Sequence, residues 1–151
     1  MSKFSDKLVV EPVGDGKNWI VYNSFSYQSD ILDTTISIPQ GFITDGASIP
    51  RFFWNIFIPT GPYFQAAVIH DYLYRHQVFT RYQSDNSLLE GMWILHCKLR
   101  QYSIIYIMVR LFGWHAWWRD GKLPMGILQR SEDKNIIKGN NPKPYHFWNH
   151  T

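Results

Sequence analysis

A chain of 151 residues, 45% of them apolar, suits one domain with a real core; its net charge of +3, without a Lys/Arg run interleaved with aromatics, speaks against nucleic acid as a partner. The single cysteine, Cys97, excludes an internal disulfide, so folding in a reducing compartment is expected, with Cys97 a buried structural thiol on an apolar helical stretch. The aromatic fraction is high at 17%, and much of it is clustered: Phe52-Phe53-Trp54, Trp114 with Trp117-Trp118, and Tyr145 with Phe147-Trp148. Such clusters serve packing first, and an apolar contact surface for lipid or a protein partner second.

Met1 to Lys7 carries no apolar h-region, so no secretory signal is expected. Lys7 to Val13 predicts a short strand closed by Pro12 and the turn Gly14-Asp15-Gly16. Trp19 to Tyr27 alternates, with Trp19 and Val21 on one side, Ile20 and Tyr22 on the other, then Phe25 and Tyr27, which predicts a second strand. Thr35 to Ile38 predicts a third, ended by Pro39, and Gly41 to Thr44 a short last one. The first third of the chain is thus expected to be one small antiparallel sheet of three or four strands.

Thr44-Asp45-Gly46-Ala47-Ser48-Ile49-Pro50 reads as a tight loop. It would expose backbone carbonyls and one carboxylate, the ligands that a hard cation takes. Thr60-Gly61-Pro62 marks a helix start, and the helix is predicted over about 63–75. Ala67, His70, Asp71 and Tyr74 share one face of it. Residues His76 to Phe79 form the break. Thr80 and Gln83 match a capping box for a second helix, predicted from Thr80 to about Leu99, with Asp85, Leu88, Leu89, Met92 and His96 along one face.

His70 lies about five residues before the end of the first helix and Asp85 five after the start of the second. At a rise of ~1.5 Å per residue, both stand about 7–8 Å from the connection. A short connection makes the helices antiparallel neighbours, so His70 and Asp85 should face each other within hydrogen-bond reach. Asp71 is about 100° round the helix and should point toward a neighbouring loop, with the Asp45-Gly46 turn as the candidate.

A third helix is predicted over about 103–112, interrupted at Gly113 before the Trp-rich segment. The apolar run Ile104 to Trp118 is broken by Arg110 and His115 and is too short to span a bilayer; it reads as a buried or interfacial helix. Residues 121–151 read as an irregular tail whose Tyr145 to Trp148 ending suits a clip onto a body or partner. The predicted class is α+β. The β part covers about 7–44 and the helical part about 60–118, within one domain over 1–120, and the extension follows.

The loop Thr44-Asp45-Gly46-Ala47-Ser48, the segment His70-Asp71-x-x-Tyr74-Arg75 and the segment Arg81-x-x-x-Asp85 resemble motifs of the phospholipase A2 superfamily, particularly its prokaryotic branch. Ala67 and Leu73 stand where that superfamily carries cysteines. The resemblance implies His70 as the base that activates water, Asp85 as its orienter and Tyr74 as support. It implies Asp45, Gly46 and Asp71 as ligands of a Ca²⁺ ion, and membrane phospholipid as the substrate class. Over most of the chain, Gly41-Phe42-x-Thr44-Asp45-Gly46-Ala47-Ser48-Ile49-Pro50 and Ala66-Ala67-x-x-His70-Asp71-Tyr72-Leu73-Tyr74 resemble an uncharacterised family of tailed phages and prophages. That resemblance implies a location in the host cytoplasm or the phage virion.

Two functions are therefore expected to compete. One is a Ca²⁺-assisted ester hydrolase working at a groove rimmed by Phe52, Phe53 and Trp54. The other is a non-catalytic virion or host-interaction protein that uses its aromatic C-terminal segments against a phage or host protein and keeps His70, Asp85 and Tyr74 as a buried structural network. A metal phosphohydrolase of His…His-Asp…Asp type is disfavoured, because no histidine precedes His70.

Overall fold

A computed structural model of the chain describes residues 1–16, 18–45 and 61–120. Strands occupy its N-terminal half and helices its C-terminal half, in the expected α+β order. The strands are β1 (Lys3–Phe4), β2 (Val10–Pro12), β3 (Trp19–Val21), β4 (Phe25–Ser29), β5 (Thr34–Ile38) and β6 (Ile43–Thr44). Alternation sets their inner face. Val21, Phe25, Tyr27, Ile36 and Ile38 are buried, whereas Tyr22 is exposed.

The single sheet expected from the sequence is two three-stranded antiparallel sheets, ordered β1-β4-β5 and β2-β3-β6. The predicted strand from Trp19 to Tyr27 is divided between them. Val21 N–H donates to Phe42 O at 2.9 Å and Tyr22 N–H to Val9 O at 2.8 Å, which binds β3 to the second sheet. After Asn23 and Ser24, β4 pairs with β5, Phe25 opposite Ile38 and Tyr27 opposite Ile36, and with β1 through Phe4 opposite Tyr27. Asn23, exposed where continued alternation from Val21 to Phe25 would turn a side chain inward, marks this change of partner. The predicted strand over 7–13 shrinks to β2, and β1 went unpredicted because two residues hold no period. Tertiary contacts define it instead: Phe4 stacks on Tyr27 at 4.7 Å between centroids.

The helices are α1 (Phe64–His76), α2 (Arg81–Ile94) and α3 (Leu99–Asp120). α1 turns Val68, Ile69, Tyr72 and Leu73 to the core under the sheets. Ala66 joins a second apolar cluster with Leu88, Met92, Cys97 and Ile105 from the other helices and the turn between them. α2 starts on the predicted capping box: Thr80 Oγ1 accepts from Gln83 N–H at 3.2 Å, and Gln83 Oε1 accepts from Thr80 N–H at 3.0 Å.

α2 ends five residues earlier than predicted. His96 adopts φ = +54°, its N–H donates to Trp93 O, and Cys97 N–H donates to Met92 O. This is a Schellman end with histidine in the left-handed position. His96 therefore leaves the Asp85 face, and buried Cys97 lies in the turn rather than on a helix.

α3 runs through Gly113 without the predicted interruption. The predicted rim Phe52-Phe53-Trp54, Gly46 and the tail 121–151 lie outside the described residues. Among the described residues, no helix is long and apolar enough to cross a membrane.

One carboxylate ties the β1-β4-β5 sheet to α2. Glu90 on α2 accepts from Ser29 Oγ at 2.6 Å, from Ser2 Oγ at 2.6 Å, from the N–H groups of Asp30 and Ile31, and from the Tyr27 hydroxyl. Burial pushes the Tyr27 hydroxyl pKa up, and the hydrogen bond to Glu90 adds to it. The phenol therefore stays a donor across the physiological range.

Candidate active site

The antiparallel run of α1 against α2 follows from close approach at two levels. A Cβ on Gly91 would stand 2.9 Å from Ala66 Cβ, so glycine lets the helices touch there. Further along, His70 Nε2 meets Asp85 Oδ1 at 3.0 Å. The facing pair predicted by counting residues from Thr80 is thus present.

Asp85 is the centre of the network. Its side chain has no solvent exposure, and His70 keeps 13%. Oδ1 also accepts from the Tyr74 hydroxyl at 2.5 Å, and Oδ2 from Arg110 Nη1 at 2.7 Å. Arg81, one turn before Asp85 on α2, stands 3.7 Å from Oδ2. Burial alone would raise the Asp85 pKa and is the largest single influence. The hydrogen bonds from His70, Tyr74 and Arg110, with the charge of the histidine, together outweigh it and hold the carboxyl below the ordinary carboxylate range. For Tyr74, burial and its bond to Asp85 both push the hydroxyl pKa up, so it donates.

A tautomer follows. Ionised Asp85 can only accept, so His70 Nε2 carries the proton in this contact. In the neutral ring Nδ1 then holds the lone pair. No described residue hydrogen-bonds to Nδ1, and the ring packs against Tyr74 with centroids 4.0 Å apart. The ring is held from one side, and among the described residues none occupies the nitrogen suited to accept a proton.

Asp71 occupies a different setting. Its Oδ2 pairs with Arg75 Nη2 at 3.0 Å, and Arg75 Nη1 donates to Ile43 O in β6, the strand leading into Asp45. Asp71 is thus linked through Arg75 to the strand before the Asp45-Gly46 turn. Asp45 is half-buried and has interactions of its own. Among the described residues, no three of His, Cys, Asp and Glu gather as a metal site requires. One carboxylate oxygen of Asp71 is thus taken by a guanidinium, and Gly46, the backbone ligand that the resemblance implies, lies outside the described residues.

Two further arginines take part that sequence reasoning left without a role. Arg110 is visible in the sequence as a lone cation inside an apolar run, a pattern that a buried carboxylate partner explains. Arg81 precedes Asp85 by four residues, the spacing of a same-face pair. Arg81 Nη2 also donates to Val109 O at 3.0 Å and Arg110 O at 2.7 Å, binding α3 to the hairpin. Gly113 belongs to the site too, since α3 passes directly over the Tyr74 hydroxyl there. Trp117, one turn on, packs edge-on against the Tyr74 ring at 5.0 Å.

No curated protein and no solved structure matches the chain. One family does match, over residues 19–109, more than half of the sequence; the match takes in β3 to β6, the whole α1–α2 hairpin and α3 up to Val109, and ends before Arg110 and Gly113. The chain belongs to the family described as "Protein of unknown function (DUF1353)".

Proposed function

We propose that the protein is a phospholipase A2-like ester hydrolase, encoded by a phage or prophage and directed at membrane phospholipid. The observation that carries this reading is the His70–Asp85 contact, 3.0 Å with Nε2 on the carboxylate and Nδ1 without a described partner. A water held at Nδ1 gives its proton to the imidazole as its oxygen bonds to the ester carbonyl carbon. The imidazolium, stabilised by Asp85, returns that proton to the departing alkoxide as the ester C–O bond breaks. Asp85 holds the ring and its tautomer, and Tyr74 and Arg110 hold Asp85. The motif resemblances around Asp45, His70 and Asp85 support the substrate class and the phage setting.

Fatty-acid release from phosphatidylglycerol vesicles tests this, with Ca²⁺ and with a chelator in parallel. Release by the wild type, and its loss in His70→Ala, is the expected outcome; the chelator arm reads the calcium requirement separately. A folded wild type that releases nothing under any metal condition refutes the hydrolase.

A second reading rests on Arg110. A guanidinium 2.7 Å from a fully buried carboxylate already bonded to His and Tyr makes a joint of three helices. On that reading the protein is a non-catalytic virion or host-interaction component. A large loss of stability in His70→Ala, in a protein without hydrolytic activity, would support it.

A further inference from the structure

Asp85 divides its two oxygens between two tasks. Oδ1 takes His70 Nε2 at 3.0 Å and the Tyr74 hydroxyl at 2.5 Å, so it is the oxygen that orients the imidazole. Among the described residues, Oδ2 accepts one hydrogen bond, from Arg110 Nη1 at 2.7 Å. Arg81 does not duplicate it. Its Nε stands 3.7 Å from Oδ2, beyond bonding range, and its Nη2 is committed to the carbonyls of Val109 and Arg110.

The two oxygens move together, because a carboxylate is planar and turns about one bond. A buried oxygen left without a donor is costly. Without Arg110, the nearest donor to Oδ2 is Arg81 Nε, and turning toward it carries Oδ1 out from between His70 and Tyr74. The His70 ring, bonded through Nε2 alone among the described residues, follows Oδ1.

A residue that positions another must itself be fixed, and Arg110 is. Its backbone carbonyl accepts from Arg81 Nη2 at 2.7 Å, and its guanidinium lies over the Tyr82 ring, 5.4 Å from the centroid. One turn before it on α3, the Tyr106 hydroxyl donates to Asn86 Oδ1 at 2.7 Å. Tyr106 and Arg110 thus meet the neighbours Asn86 and Asp85, which sets α3 in register with α2.

We propose that Arg110 is a positioning residue of the candidate active site: bonded to Oδ2, it sets the plane of the Asp85 carboxylate and through it the tautomer and orientation of His70. The site is then complete only with three helices, α1 for the base, α2 for its carboxylate and α3 for the group that fixes the carboxylate. The part His70 plays as a base rests on the hydrolase reading; the geometric role of Arg110 does not.

Nitrogen-15 spectra of the full chain test that geometry without a substrate. Neutral His70 should show one tautomer, protonated on Nε2, in the wild type. Arg110→Met should mix the tautomers and speed exchange of the ring proton with water at least about tenfold. Arg110→Lys, which can return a donor to Oδ2, should keep the wild-type pattern. Ile105→Ala loosens α3 at its buried apolar residue and should leave His70 unchanged. Circular dichroism establishes folding; if Arg110→Met does not fold, Arg110→Gln, whose shorter amide stops short of Oδ2, carries the same expectation. An unaltered His70 in the folded variant overturns the proposal, and so does the same change in Ile105→Ala, which would mark a general loosening. In the vesicle assay, Arg110→Met should lower kcat about tenfold or more with KM within about twofold. A raised KM at unchanged kcat counts against a positioning role. A wild type that releases no fatty acid refutes the hydrolase, and the spectra then decide the role of Arg110 by themselves.

Discussion

Gly113 and Tyr74 are in contact across the α1–α3 interface: a Cβ on Gly113 would stand 2.7 Å from the Tyr74 hydroxyl oxygen. That hydroxyl cannot swing away freely, because it donates to Asp85 while its ring packs on Trp117. The glycine that looks like a helix breaker is therefore a seat for the candidate active site.

Gly113→Ala should gain about 1 kcal/mol of helix propensity yet destabilise the protein by a net of about 1–2 kcal/mol, because the methyl displaces Tyr74 from Asp85. In a Tyr74→Phe background the clashing oxygen is gone, and the same substitution should become neutral or stabilising. Urea denaturation of the four proteins in this cycle measures the coupling. Equal effects in both backgrounds would disprove the contact.

Asp85→Asn should cost about 3 kcal/mol at neutral pH, since it leaves Arg110 and Arg81 facing a neutral, buried amide. The pH dependence has a definite sign. Asp85 is held below its ordinary range when folded, so its stabilisation is complete above the unfolded value of about 3.9 and is lost as pH falls through the lower folded value. The stability gap between wild type and Asp85→Asn should therefore close as pH falls below about 4. Denaturation curves from about pH 5 downward decide it; a gap that persists undiminished at the acid end would contradict the assignment.

Neutral His70 should carry its proton on Nε2. Nitrogen-15 shifts of the imidazole report this directly, with Nε2 in the protonated range and Nδ1 in the unprotonated one. Asp85→Leu removes the acceptor and should return the ring to a mixture of tautomers. A ring protonated on Nδ1 in the wild type would remove the proposed base.

Glu90→Gln should release the N-terminal strand. The amide can accept from only one side, so among Ser2, Tyr27, Ser29 and the N–H groups of Asp30 and Ile31 some donors lose their partner, at a cost of about 1–3 kcal/mol. Faster amide exchange at Lys3 and Phe4, with α1 unchanged, is the expected signature. Unaltered exchange there would show that the Phe4–Tyr27 stack suffices to hold β1.

The sequence by itself determined the features carried by short-range periodicity and caps. These are the α+β order, the α1–α2 hairpin, the Thr80–Gln83 box, and the facing of His70 and Asp85. Each follows from a count along the chain, because helix rise and pitch turn residue number into position. It also placed Tyr74 one turn from His70, while the bond of Tyr74 to the same carboxylate was implied by the phospholipase A2 resemblance. Tertiary structure alone decided which strands share a sheet, because alternation marks a strand's face and not its neighbour. It made Gly113 a contact rather than a stop, and ended α2 at a left-handed His96. It also brought Arg110 to Asp85 and Glu90 to five donors. Those choices depend on what lies across the gap, and separation along the chain does not encode that distance.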